Sequence, residues 1–174
     1  MKTRLTLLVL AATAAAVPFD SSTCFVSKGC FLPHDCIPGD ASNDCPMAFS
    51  YRPLNDSFVE MELYASPVPD SDNFYVAVAF SDDRKMGGEP AVRSTIFSSS
   101  SASVVDGGVY CRWTQRIKGL SLAAEYFESD LSTPFYFLLA KGTTNSEGLK
   151  CHHKNKKVPK APLPLSFKPS SPAF

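Results

Sequence analysis

Phe74-Tyr75-Val76-Ala77-Val78-Ala79-Phe80-Ser81-Asp82-Asp83-Arg84-Lys85-Met86-Gly87 is the stretch on which the fold turns. Its first seven residues are β-branched, aromatic or small, with no polar face at helical period. They read as a buried strand. The strand runs into a charged loop that carries one thioether, Met86. Methionine ordinarily fills gaps in cores, so a methionine on a charged turn either packs down or is presented to something. Gly87 and Gly88 let the backbone approach closely there.

The β pattern continues on both sides. Upstream, Met47 to Tyr51 is a short strand candidate. Ser57 to Tyr64 alternates, with Val59, Met61 and Leu63 on one face and Glu60 and Glu62 on the other. That is a half-buried strand with one wet face. Downstream, Val92 to Phe97 is a candidate, followed by a serine run to Ser101 and a short Val104-Val105 piece. Asp106-Gly107-Gly108 is a hairpin signal. Val109, Cys111, Trp113 and Gln115 then face one way, and Tyr110, Arg112, Thr114 and Arg116 the other. Leu120 to Phe127 fits a helical turn or a strand. Pro134 to Lys141 is an apolar strand closed by Gly142, Leu149 to His153 follows a turn, and Leu163 to Phe167 is an irregular last strand. About eight to ten short strands separated by turn signals predict an all-β, immunoglobulin-like antiparallel β-sandwich over residues 48–167.

The ends of the chain differ from this middle. Lys2 and Arg4, the apolar run Leu5 to Ala12 and the small Ala14-Ala15-Ala16 read as a signal peptide over residues 1–16. That run falls short of the roughly 20 residues a membrane span needs, so we expect a secreted, extracellular protein with no span. Residues 17–47 are a leader rich in Cys, Pro, Gly and Asp, with neither helix nor strand pattern. Residues 168–174 are a disordered tail. All six cysteines follow the signal segment: Cys24, Cys30, Cys36 and Cys45 cluster in the leader, and Cys111 and Cys151 stand apart. Six cysteines allow fifteen pairings, and the sequence does not choose among them. The economical expectation pairs the cluster within itself and Cys111 with Cys151. Zinc is the rival, but the gaps of five, five and eight residues in the cluster lack the close pairs of zinc modules. Asn55-Asp56-Ser57 is a glycosylation sequon.

Residues 17–140 hold sixteen Asp/Glu against eight Lys/Arg, whereas 141–174 hold one acid, Glu147, and seven Lys/Arg. Such a basic end either seeks an acidic partner or is simply solvated. No nucleic-acid motif accompanies it, so a nucleic-acid partner is not expected.

Several motifs in order carry a family likeness. Phe80-Ser81-Asp82 leads to Met86-Gly87. Cys111-Arg112-Trp113-Thr114-Gln115-Arg116 follows, then Phe135 to Gly142, then a histidine before Asn155-Lys156. Together they resemble the DOMON domain, named after the N-terminal region of dopamine β-monooxygenase. The leader resembles the one that precedes DOMON in ferric-chelate-reductase-like proteins. The likeness spans roughly residues 24–167. It implies a sandwich that, in cytochrome members, holds haem b between a loop methionine and a downstream histidine. Met86 matches the methionine. His152 matches the histidine, three residues before Asn155, with His153 the close alternative. A Met/His pair raises the reduction potential of haem iron and implies electron transfer. A disulfide from Cys151 would fix the segment before His152. Phe74-Tyr75, Gly88-Glu89-Pro90 and Ser94 depart from the family pattern.

The expectation is therefore a monomeric, secreted haem-b module for extracellular electron transfer with a separate redox partner. The alternative is a haem-free recognition module that binds a glycan or an extracellular protein. A free-standing enzyme ranks third, because no Ser/His/Asp arrangement or carboxylate pair marks a catalytic centre. Arg112 and Arg116 are candidates for haem propionates or for a solvated sheet face. Trp113 is read as core, and His34 as a surface residue of the leader.

Overall fold

A computed structural model describes residues 19–37, 45–68, 73–85, 97–105, 107–118, 131–150 and 155–166. The signal segment, the terminal tail, Met86, the stretch Leu120 to Phe127, Cys151, His152 and His153 lie outside the described residues.

Among the described residues, nine strands form two antiparallel sheets. They are β1 (Gly29–Phe31), β2 (Met47–Pro53), β3 (Phe58–Ala65), β4 (Phe74–Ser81), β5 (Phe97–Val105), β6 (Gly108–Arg116), β7 (Tyr136–Asn145), β8 (Gly148–Leu149) and β9 (Lys156–Lys157). The first sheet has the order β1-β2-β3-β6-β5, and the second β4-β7-β8, with β9 also on β7. This is the expected immunoglobulin-like sandwich. The inner faces meet where alternation sends apolar side chains inward. Met47, Phe49, Tyr51, Val59, Met61 and Leu63 come from the first sheet, and Phe80, Phe137 and Leu139 from the second. Phe49 is fully buried at the centre, with ring centroids 5.1 Å from Phe137 and 6.2 Å from Phe80. Lys141 ties the sheets at one end, its Nζ donating to the carbonyls of Ser66 and Pro67 at 2.8 and 2.9 Å.

Four local readings change. The leader is not free of regular structure: it supplies β1, paired to β2 with Phe31 opposite Phe49, and two 3-10 turns. Gly29 permits this pairing, because a Cβ there would sit 2.2 Å from the Tyr51 ring. Among the described strands, the one from Phe74 stands at the end of its sheet rather than at the buried centre. Among the described residues only β7 pairs with it, and Phe74 to Ala79 stay half-buried. The serine run lies inside one continuous strand, β5, because β6 offers it a full ladder of backbone partners. Positions 98 to 104 of β5 are exposed on both faces. Finally, Gly142 does not end β7, which continues to Asn145. The hairpin signal holds: β5 and β6 close at Val105 opposite Gly108, with Gly107 at φ +71°.

Candidate functional site

The largest departure from the alternation reading is on the outer face of the first sheet, which is wet only in part. The leader lies across it as a third layer. Phe19, Cys24, Cys30, Cys36 and Cys45 pack with Ala48 and Tyr64 in a second apolar cluster. Two disulfides, Cys24–Cys30 and Cys36–Cys45, hold the leader to itself. Cys111 carries a free thiol, and its expected partner, Cys151, lies outside the described residues. The Cys111 side chain points inward from β6 and packs on the sandwich core, where burial pushes its thiol pKa up.

Under that layer sits a polar cluster centred on Glu62. Ser50 Oγ and Tyr110 OH each donate to its carboxylate at 2.6 Å, and the Lys28 ammonium pairs with it from the leader. Lys28 is 7% exposed and its Nζ lies 4.4 Å from the Phe19 ring centroid. Beside it, Glu60 is held by Arg52 at 2.5 Å and by the Arg112 guanidinium, whose Nε donates at 2.9 Å. Arg112 is thus committed to a neighbouring strand, and Arg116 lies over the Phe58 ring at 5.1 Å. A polar pocket of about 190 Å³ opens among these groups. Each of the two glutamates faces a cation there.

Burial raises the Glu62 carboxyl, but the hydrogen bonds from Lys28, Ser50 and Tyr110 outweigh it, and its pKa is lowered. Burial likewise raises Glu60, outweighed by Arg112 and Arg52, so its pKa is lowered too. Tyr110 is raised, by burial first and then by the bond to Glu62. An unfolded glutamate titrates near about 4.3, so the unfolded chain binds more protons just below that value. The stability these carboxylates contribute is present above about pH 4.3 and is lost as pH falls through the folded values. Urea midpoints should hold steady from about pH 7 to 5 and drop below about pH 4. A midpoint that rises on acidification would contradict this.

The described residues bring together only the surroundings of the predicted haem ligands. Lys150 N donates to Thr143 O at 3.0 Å, and Lys141 N to Asn155 O at 3.1 Å. The segment carrying His152 and His153 is therefore pinned on both sides to one end of β7. Met86 follows Ser81, which pairs with Tyr136 at the other end of the same strand. The two anchors are about 17 to 23 Å apart, at roughly 3.3 Å per residue. The described part of the loop after Ser81 curls, with Lys85 N bonded to Asp83 Oδ1 at 2.7 Å and Asp83 N to Ser81 Oγ at 3.2 Å. No cluster of three or more metal-ligating side chains occurs among the described residues. No described helix is long and apolar enough to cross a membrane. Asn55 of the sequon is exposed in the β2–β3 turn, its Oδ1 accepting from the backbone of Ser57 and Phe58.

A second recess joins parts of the chain that sequence reasoning kept apart. β1 is the edge of the first sheet and β9 an edge of the second. Just beyond them, the leader and the C-terminal segment enclose a cleft of about 340 Å³. Its floor is Phe31, Pro33, Val158 and Pro159; His34, Lys157 and Lys160 complete the lining. Pro33 and Pro159 are buried, and His34 and Lys160 are exposed. His34 holds a left-handed backbone at φ +61°, which turns the chain sharply after Pro33. No carboxylate is among the lining residues. The sequence signal for this cleft was the basic excess after residue 140. Nothing in the sequence tied it to the leader. No family model, no curated protein and no solved structure matches the chain.

Proposed function

We propose that the chain is a secreted, haem-free recognition module. Its binding surface is the cleft between the leader and the segment after β9. The observation that supports this reading is the cleft's chemistry: an apolar floor with two lysines and an imidazole, and no lining carboxylate to neutralise them. Such a mix of apolar surface and a few convergent polar groups is the usual make-up of a ligand site. The polar pocket under the leader is a weaker candidate, since its carboxylates are already engaged by Lys28, Arg52 and Arg112. Glycosylation at Asn55, away in the β2–β3 turn, belongs to the same reading. Screening the purified protein against immobilised extracellular glycans and proteins tests it. Binding that is lost on blocking the cleft supports the reading, and a blank result across both panels sinks it.

Haem-b binding in a DOMON-like domain is the second reading. The observation in its favour is the pinning of the His152–His153 segment on both sides to β7, which would hold an imidazole steady. Met86 with His152, or with His153, would hold the iron, and haem bound so would supply one-electron transfer. An absorption spectrum of protein expressed with haem, oxidised and then reduced, decides this reading. Sharp α and β bands support it, and the lack of a Soret band in folded protein removes it.

A further inference from the structure

Resting on the recognition reading, we infer that the cleft takes an anionic sugar: a sulfated or carboxylated ring lies on its apolar floor while its acidic group meets Lys157 and Lys160. Three features of the cleft point this way. First, its charge is uncompensated. Neither lysine nor His34 takes part in an ion pair among the described residues, and exposed Lys156 adds a further cation beside them. Second, its floor is unsuited to strand pairing. Pro33 and Pro159 have no N–H to donate, so an acidic peptide would gain little from main-chain bonds there. A ligand that brings its own hydroxyls and anionic group meets side-chain heads instead. Third, the half-buried Phe31 ring and the two prolines offer apolar faces for the C–H side of a sugar ring. A volume of about 340 Å³ sits at the small end of the ligand-site range, about 300 to 1,000 Å³. It suits one or two rings rather than a folded partner.

The test uses the full oxidised chain and backbone-amide NMR titration. The probes are a sulfated, uronate-containing disaccharide, its unsulfated and carboxyl-reduced counterpart, inorganic sulfate, and an acidic peptide of equal charge. The sulfated sugar should shift the amides of Phe31, His34, Lys157 and Val158. The double variant Lys157→Ala/Lys160→Ala should weaken it about tenfold or more. Lys160 is exposed and Lys157 half-buried, and an unchanged circular dichroism spectrum checks the fold. Equal binding of the neutral counterpart at the cleft overturns the anion requirement and leaves the recognition reading standing. Equal binding of sulfate alone or of the peptide overturns the sugar assignment. Shifts elsewhere, or none with either sugar, overturn the inference outright. The recognition reading itself falls only if the wider glycan and protein panels are blank as well.

Discussion

Replacing Glu62 by alanine is expected to cost about 3–5 kcal/mol of folding stability. The carboxylate is the shared acceptor for three donors on three different elements: Lys28 of the leader, Ser50 of β2 and Tyr110 of β6. Its removal takes from the buried Lys28 ammonium its hydrogen-bonded counter-charge, leaving only Asp20 across the pocket, and leaves two hydroxyls without their partner. An isolated buried charge costs far more than a lost hydrogen bond. The double variant Lys28→Met/Glu62→Leu separates this from mere loss of contact. It removes both charges together and should recover most of the stability, because a buried ion pair is often matched by apolar groups of similar size. Urea unfolding of the oxidised protein measures both. A loss below about 1 kcal/mol for the single variant would mean that Lys28 escapes to water. In that case the leader does not seal the sheet.

Phe49→Ala is expected to cost about 3–5 kcal/mol. The Phe49 ring touches the rings of Tyr51, Phe80, Trp113 and Phe137, with centroids between 5.1 and 6.3 Å away. These neighbours come from both sheets, so they are fixed by two separate ladders and cannot collapse freely into the space left. The cavity term is then close to its full value. Thermal unfolding should show a cooperative transition at a clearly lower midpoint. A cost under about 1.5 kcal/mol, the range of volume-conserving swaps, would mean that the two sheets slide together.

The sandwich was legible because it is written in local periodicity. The alternation of Val59, Met61 and Leu63, or of Val109, Cys111 and Trp113, names the inward face without any knowledge of the partner strand. What failed was everything decided at long range. Glu60 and Glu62 look like solvent-facing residues, and only a leader positioned 34 residues upstream, at Lys28, makes Glu62 an interior group. The apolar run from Phe74 looks central, yet among the described strands it stands at the end of its sheet. Ser98 to Ser101 read as a serine run between two strand candidates, and the neighbouring strand turned them into ladder. The candidate cleft is the extreme case. Phe31 and Lys160 stand at nearly opposite ends of the chain and meet only because β1 and β9 are edges of the two sheets. The predicted haem ligands Met86, His152 and His153 lie outside the described residues, so only their anchors bear on them.

The serines of β5 have a further effect. Any outermost strand offers unpaired amides and carbonyls to a second molecule, and growth from it becomes self-sustaining when the newcomer also gains a greasy surface. Here positions 98 to 101 present only hydroxymethyl groups on either side. A foreign strand docking there would exchange well-hydrated oxygens for backbone bonds and bury almost no hydrocarbon. Along positions 98 to 101 the choice of side chains therefore works against propagation of the sheet.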